Sequence, residues 1–252
     1  MRGEINLFFN ALLFYSRIRV PKWVECTEKS LNGAFRYFPL VGLLVGAIAA
    51  GIFYTLTELL PISVAVMGAM VVMLLLTGAL HEDGLADFAD GFGAGGDKEQ
   101  ILRIMKDSHI GTYGVLTLII SSMLKFMLIS SLGGSAMIAL WLIAAQGASR
   151  VPSVIMLRVC PYLKGERSKS SHASLGVSST NIAVAVVTGL LPAAILGWAQ
   201  TAIYIAVMGL LIALYRNFLR SKIGGCTGDT LGALQQVSEL LLYAVVIIYA
   251  GL

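Results

Sequence analysis

The feature that most constrains this chain is a series of seven apolar stretches, each about 15–24 residues long, in which polar and apolar residues do not alternate. Runs of that length suit helices that cross hydrocarbon, whereas a barrel strand alternates over about ten residues. Lipid offers no hydrogen bonds, so an irregular span is excluded. Composition agrees. The 252 residues are 57% hydrophobic and 13% charged, against about 25% charged in soluble domains. A water-soluble core of this size could not hide that much apolar surface. The pattern predicts an all-α, polytopic membrane helix bundle of about seven transmembrane helices. The spans fall at Phe38–Thr57, Ile62–Leu80, Val115–Leu132, Ala136–Ser149, Ile182–Trp198, Thr201–Tyr215 and Val237–Leu252. Gly42 and Gly46, followed by Ala50, give the first span a small-residue face for close helix packing. Before the spans, Ile5, Phe8, Phe9, Leu12 and Tyr15 recur at helical spacing, with Glu4, Asn10 and Arg17 elsewhere on the wheel. This predicts an N-terminal amphipathic helix at the interface or against the bundle, and not a signal peptide. Cys26, Cys160 and Cys226 form no CxxC pair and no zinc spacing, and read as reduced.

Basic residues set the orientation. The connection after the first span carries only Glu58, and the turns at 133–135 and 199–200 carry no charge. Every other connection is basic: Arg17, Arg19, Lys22, Lys29 and Arg36; Lys98, Arg103 and Lys106; Arg150, Arg158, Lys164, Arg167 and Lys169; Arg216, Arg220 and Lys222. The positive-inside rule places those connections in the cytoplasm. The whole chain then reads as one membrane domain, 1–252, with cytoplasmic loops at 81–114, 150–181 and 216–236. The net charge of +4 needs no nucleic acid, because anionic lipid and phosphate-bearing substrates account for it.

Half of the fourteen acidic residues lie in residues 81–109, where three basic residues offset seven acids, leaving −4 there and +8 elsewhere. The segment reads His81-Glu82-Asp83-Gly84-Leu85-Ala86-Asp87-Phe88-Ala89-Asp90-Gly91. Asp83, Asp87 and Asp90 stand at i, i+4 and i+7, one above another on a helix that would continue the second span. Three like charges on one face repel. A divalent cation removes that objection, and hard oxygen donors at this density suit magnesium, with manganese second. The ordinary alternative is a solvated acidic face, but Leu85, Ala86 and Phe88 fill the intervening positions. A second cluster runs from Arg103 to Gly114. Arg103, Lys106 and His109 can hold phosphate oxygens, and Ser108 lies near N–H groups free to bind an anion. The same residues would also serve as an interfacial anchor. A third cluster is Gly224-Gly225-Cys226-Thr227-Gly228-Asp229-Thr230-Leu231-Gly232, with Glu239 beyond; Thr227 and Asp229 either bind substrate or cap a helix. Lys125, inside a span, is either functional or snorkels.

On the segments HEDGLADFADG at 81–91, ILRIMKDSHIGTYG at 101–114 and GGCTGDTLGA at 224–233, the sequence resembles the cobalamin synthase family, also called adenosylcobinamide-GDP ribazoletransferase. Arg19-Val20-Pro21 and Phe38-Pro39-Leu40-Val41-Gly42 match weaker family features, and the likeness covers essentially the whole chain. The resemblance implies a magnesium-dependent transferase. Its substrates would be adenosylcobinamide-GDP and α-ribazole or its 5′-phosphate, its product adenosylcobalamin or its 5′-phosphate, and GMP the leaving group. It carries metal ligation to Asp83, Asp87 and Asp90, with Glu82 a weaker member, and it implies a prokaryotic inner membrane with the active site on the cytoplasmic side; a homo-oligomer is left open by the sequence. For such a transfer Arg103, Lys106 and Arg150 would stabilise developing charge, and Asp90 is the candidate general base, with His81 and Asp107 as competitors. The chain departs from the family over Tyr162–Gly176, where relatives have a shorter stretch. A CDP-alcohol phosphatidyltransferase is the nearest rival enzyme, but Asp87 and Phe88 stand where its motif needs Ala-Arg. A secondary transporter is the rival of another class, and would favour charge near the midplane.

Overall fold

The computed structural model describes residues 2–163 and 177–251. The chain runs through α1 (Arg2–Tyr15), α2 (Glu28–Ala34), a 3₁₀ turn (Phe35–Tyr37), α3 (Phe38–Thr57), α4 (Ile62–Thr77), α5 (Leu80–Ala94), α6 (Lys98–Ile104), α7 (Thr112–Ser130), α8 (Ser135–Ala148), α9 (Val151–Val159), α10 (Ser179–Leu196), α11 (Trp198–Lys222) and α12 (Gly228–Ala250). Among the described residues there is no strand, only an isolated bridge between Tyr162 and Cys226. Six stretches are long and apolar enough to cross a membrane: Ser30–Thr57, Thr112–Ser130, Ser135–Val159, Ser179–Leu196, Trp198–Lys222 and Gly228–Ala250. α4 and α5 pass the same test only together, as a pair bent by 86°, and counting that pair as one span gives the seven expected crossings of a multi-pass bundle. Lipid is as apolar as leucine, so helix association rests on packing. The α3–α8 contact shows this. A Cβ on Gly42 would strike the carbonyl of Gln146, and one on Gly46 would lie 2.8 Å from Ile143 Cα.

The structure corrects several boundaries. The acidic helix does not continue the second span. α4 stops at Thr77, Gly78 (φ 67°) and Ala79 (φ 57°) both take the left-handed conformation, and α5 departs at 86°. A left-handed glycine is a common helix stop; the alanine after it is rarer and costs strain. α5 therefore lies across the end of the bundle. The last helix begins at Gly228, nine residues before Val237, behind a capping box in which Thr227 and Thr230 satisfy each other's backbone N–H groups. Arg150 does not open a loop. It joins α8 to α9 inside the bundle and is 1% exposed. Asn10 belongs to the inner face of α1, fully buried, its amide donating to the carbonyls of Asn6 and Glu25, while Ile5 is exposed. Lys164, Arg167, Lys169 and most of the 162–176 departure lie outside the described residues.

Helix direction alternates through the bundle, so α5, α6, the segment 160–162 and the turn 223–227 come together at one end. There a second small core of Ile101, Met105, Met156, Cys160, Leu219, Ile223, Cys226 and Leu234 binds them.

Candidate active site

Two helices that meet at this end carry the acids together. α5 crosses the start of α12 at glycines: a Cβ on Gly84 would lie 2.9 Å from the Asp229 backbone, and one on Gly232 would lie 3.3 Å from His81 Cα. The crossing sets Asp229 beside Asp83 and Asp87. Burial, and then the carboxylates of Asp83, Asp229 and Asp90, push the Asp87 carboxyl up to about 6. A carboxyl held up by its neighbours is a sign of uncompensated negative charge. Among the described residues no three His, Cys, Asp or Glu side chains close to direct metal-holding distance. The donor set still fits magnesium, which keeps several waters and is commonly bound through one or two carboxylates plus substrate phosphates. Asp83 and Asp87 with Asp229 are the group that would hold it. Glu82 turns to the other side of α5, where its Oε1 accepts from Gln236 Nε2 at 3.0 Å.

Asp90, at the far end of the stripe, is buried and engaged. Its oxygens accept from Gly111 N at 2.7 Å and Gly114 N at 2.8 Å, so it closes the N-terminus of α7 from another helix. A Cβ on either glycine would collide with the Asp90 carboxylate, which explains both glycines of the second cluster. Arg103, Lys106, Ser108 and His109 are all exposed around this contact. Asp107 is exposed and bonded to His109 Nδ1 at 2.7 Å, which holds its carboxyl below the usual range and makes it a weak base. Thr227 caps α12, and its hydroxyl lies 3.3 Å from Asp229 Oδ2.

A buried network runs beneath the acids, and only part of it was legible. Lys125 is neither solvent-facing nor snorkelling. Its Nζ donates to Gln236 Oε1 at 2.9 Å and Glu239 Oε2 at 3.0 Å, with Glu82 Oε1 at 4.0 Å. Gln146 Nε2 donates to Glu239 Oε1 at 2.7 Å, and Arg150 bonds Gln146 at its carbonyl and side-chain oxygens. Arg150 thus stands with the network, against the Phe38 ring, and not with Arg103 and Lys106. Sequence reading passed over Gln146, Gln235 and Gln236; polar residues inside apolar helices were the available signal. His81 is also inside, 4% exposed and stacked on Phe38, with Nε2 lacking a partner among the described residues.

Comparison with known proteins places the chain in a family. The chain is 39% identical to the adenosylcobinamide-GDP ribazoletransferase of Vibrio cholerae over 251 residues, which is 99% of this chain and 96% of that protein. The proteins of the same name from Vibrio parahaemolyticus and Shewanella oneidensis are 40% and 42% identical, each over 99% of this chain and over 94% and 96% of their own lengths. No solved structure matches. The two rival readings find no support. The pattern of one family, described as cobalamin-5-phosphate synthase, matches residues 7–247, and the chain belongs to that family.

Proposed function

We propose that the chain joins adenosylcobinamide-GDP to α-ribazole, or to α-ribazole 5′-phosphate, and releases GMP. The products are adenosylcobalamin or its 5′-phosphate. The observation that carries the chemistry is the convergence of Asp83, Asp87 and Asp229 from two helices. A ribose hydroxyl oxygen forms a bond to the phosphorus that bears the corrinoid arm. The anhydride bond to GMP breaks, and GMP leaves with the bridging oxygen. Phosphoryl transfer needs positioning and charge neutralisation more than a protein nucleophile. Magnesium, when bound, supplies charge neutralisation at the pyrophosphate; manganese would serve the same donors. Arg103 and Lys106, exposed beside the start of α7, meet the substrate's phosphates from the solvent side, with His109 and Ser108. Thr227 orients Asp229. Asp90 takes the hydroxyl proton: each of its oxygens holds one N–H and keeps a further lone pair. The site faces the cytoplasm of a prokaryotic cell across its inner membrane.

The test uses the purified full chain in lipid. Given adenosylcobinamide-GDP, α-ribazole and magnesium, it should yield GMP and cobamide in equal amounts. Chelation should stop both, and Asp83→Ala or Asp87→Ala should abolish turnover. GMP without cobamide, or full turnover after chelation, would overturn the reading.

A further inference from the structure

We infer that Glu82 is a positioning residue: its carboxylate, held by Gln236 beside Lys125, fixes the roll of α5 that sets Asp83 and Asp87 beside Asp229. The inference rests on the proposed function, in which those three carboxylates hold the metal, and adds what keeps them together. The ends of α5 do not fix its roll. It is entered through Gly78 (φ 67°) and Ala79 (φ 57°) and left through Gly95 (φ 72°) and Gly96 (φ 110°), so no helix continues its axis on either side. The crossing with α12 is made at Gly84 and Gly232. Glycines let two backbones approach closely but present no side chain to interlock. They set the distance between the helices and leave the roll to other contacts. Two directional contacts carry it. Asp90 makes one at the far end of α5, on Gly111 N and Gly114 N. Glu82 makes the other at the near end, next to Asp83.

The donor to Glu82 is itself held in place. Gln236 stands at i+7 from Asp229, so the two share a face of α12. Lys125 Nζ can only donate, and it takes Gln236 Oε1 at 2.9 Å. That leaves the Gln236 amide NH2 for Glu82 Oε1 at 3.0 Å and Gln235 Oε1 at 2.8 Å. Lys125 also donates to Glu239 Oε2 at 3.0 Å and lies 4.0 Å from Glu82 Oε1. The bonds therefore run from α7 through α12 to α5, and Lys125, Gln236 and Glu239 are all buried. A hydrogen bond to a charged group in such a setting is costly to give up. Successive residues of an α-helix point about 100° apart. Holding Glu82 against α12 thus dictates where Asp83 points and, one turn later, Asp87.

The experiment measures manganese binding to the full chain in lipid nanodiscs, without substrates, from the loss of the free-ion electron paramagnetic resonance signal. Glu82→Ala and Glu82→Gln remove the same charge, so a difference between them reports the hydrogen bond. Glutamine still accepts from Gln236, and Glu82→Gln should bind manganese within about fivefold of wild type. Glu82→Ala should bind it about ten- to a hundred-fold more weakly than Glu82→Gln. Gln236→Met breaks the same bond from α12, and answers the question if Glu82→Ala does not fold. It should show a similar loss, and the double variant should lose no more than either single one, because the bond is broken only once. Thermal unfolding is followed for each variant. Equal losses in Glu82→Ala and Glu82→Gln would make Glu82 a ligand and overturn the inference. Lowered melting with unchanged manganese affinity in Glu82→Ala and Gln236→Met would leave a purely structural contact and overturn it too, as would losses that add in the double variant. Any of these in a chain whose turnover needs metal sinks the positioning role alone. A wild type that binds no manganese sinks the inference at once; if it also turns over without metal, the proposed metal role falls with it.

Discussion

Asp87 and Asp90 sit three residues apart on α5 and carry the same charge, yet their surroundings predict opposite responses to the same substitution. The Asp87 carboxyl is pushed up to about 6 by burial and by Asp83, Asp229 and Asp90. Its folded-state pKa is raised, so the fold favours the protonated form and ionisation above that pH destabilises it. In metal-free protein at pH 7.5, Asp87→Asn should melt at the same temperature as wild type or higher. The advantage should fade as pH falls through about 6, where wild type becomes neutral by itself. A large loss of metal-free stability in Asp87→Asn would instead give the residue a structural role. Asp90 has both oxygens on backbone donors, Gly111 N and Gly114 N. An asparagine turns one oxygen into an amide that faces an N–H, leaving a buried donor unmade. Asp90→Asn should therefore cost about 1–3 kcal/mol of stability. If Asp90 also takes the hydroxyl proton, turnover falls by about 10²–10⁴ with the magnesium dependence little changed. Turnover against magnesium concentration decides this, since rescue by excess magnesium would make Asp90 a ligand and move the base elsewhere.

At the scale of elements, the polar network explains how helices are held in register where lipid gives no hydrophobic drive. Lys125 of α7 bonds Gln236 and Glu239 of α12, and Glu82 of α5 lies 4.0 Å away. Lys125→Met would leave Glu239 and Glu82 facing each other inside the bundle. Breaking a buried pair from one side costs about 3–5 kcal/mol. Denaturant titration in mixed micelles should show a loss of that order, and adding Glu239→Gln should recover most of it; additive losses would mean that the two residues do not act on each other. The network also shows what a sequence discloses. The acidic stripe was legible because i, i+4 and i+7 share a helix face whatever surrounds them. The break at Gly78–Ala79 was not, because a glycine and an alanine in a run of apolar residues look like more helix. The early start of α12 escaped for a different reason. Gln235, Gln236 and Glu239 lower the average hydropathy of the stretch, yet they face protein and not lipid, so the average reads loop where the helix is most buried. Asp229 could be proposed as a site residue from its glycine-rich setting. That it joins Asp83 and Asp87 depended on two glycines, Gly84 and Gly232, meeting from opposite ends of the chain.

At the scale of the whole molecule, charge divides the two ends of the bundle. The end that holds α5, α6 and the turn 223–227 also holds Lys98, Arg103, Lys106, Arg220 and Lys222. The opposite end is made of the α3–α4 connection with Glu58, the turn between α7 and α8, and the Gly197 break between α10 and α11, none of which carries Lys or Arg. Short loops rich in Lys and Arg stay in the cytoplasm during insertion. The candidate active site is therefore expected on the side where a GDP-activated substrate is supplied. Single cysteines test this in a background where Cys26, Cys160 and Cys226 are removed. Cys26 is exposed and tolerates serine, whereas Cys160 and Cys226 are buried beside each other in the small core and call for alanine. Ser135→Cys reports the bare end. Asp97→Cys reports the other, but Asp97 caps α6 by accepting from Gln100 N at 2.8 Å. Losing the cap costs about 1 kcal/mol, so Glu99→Cys, exposed in the first turn of α6, serves as its control. In intact cells an impermeant maleimide should label Ser135→Cys. The sites at 97 and 99 should react only after the membrane is opened. Labelling at 97 and 99 in intact cells, with Ser135→Cys protected, would invert the bundle and place the acids outside.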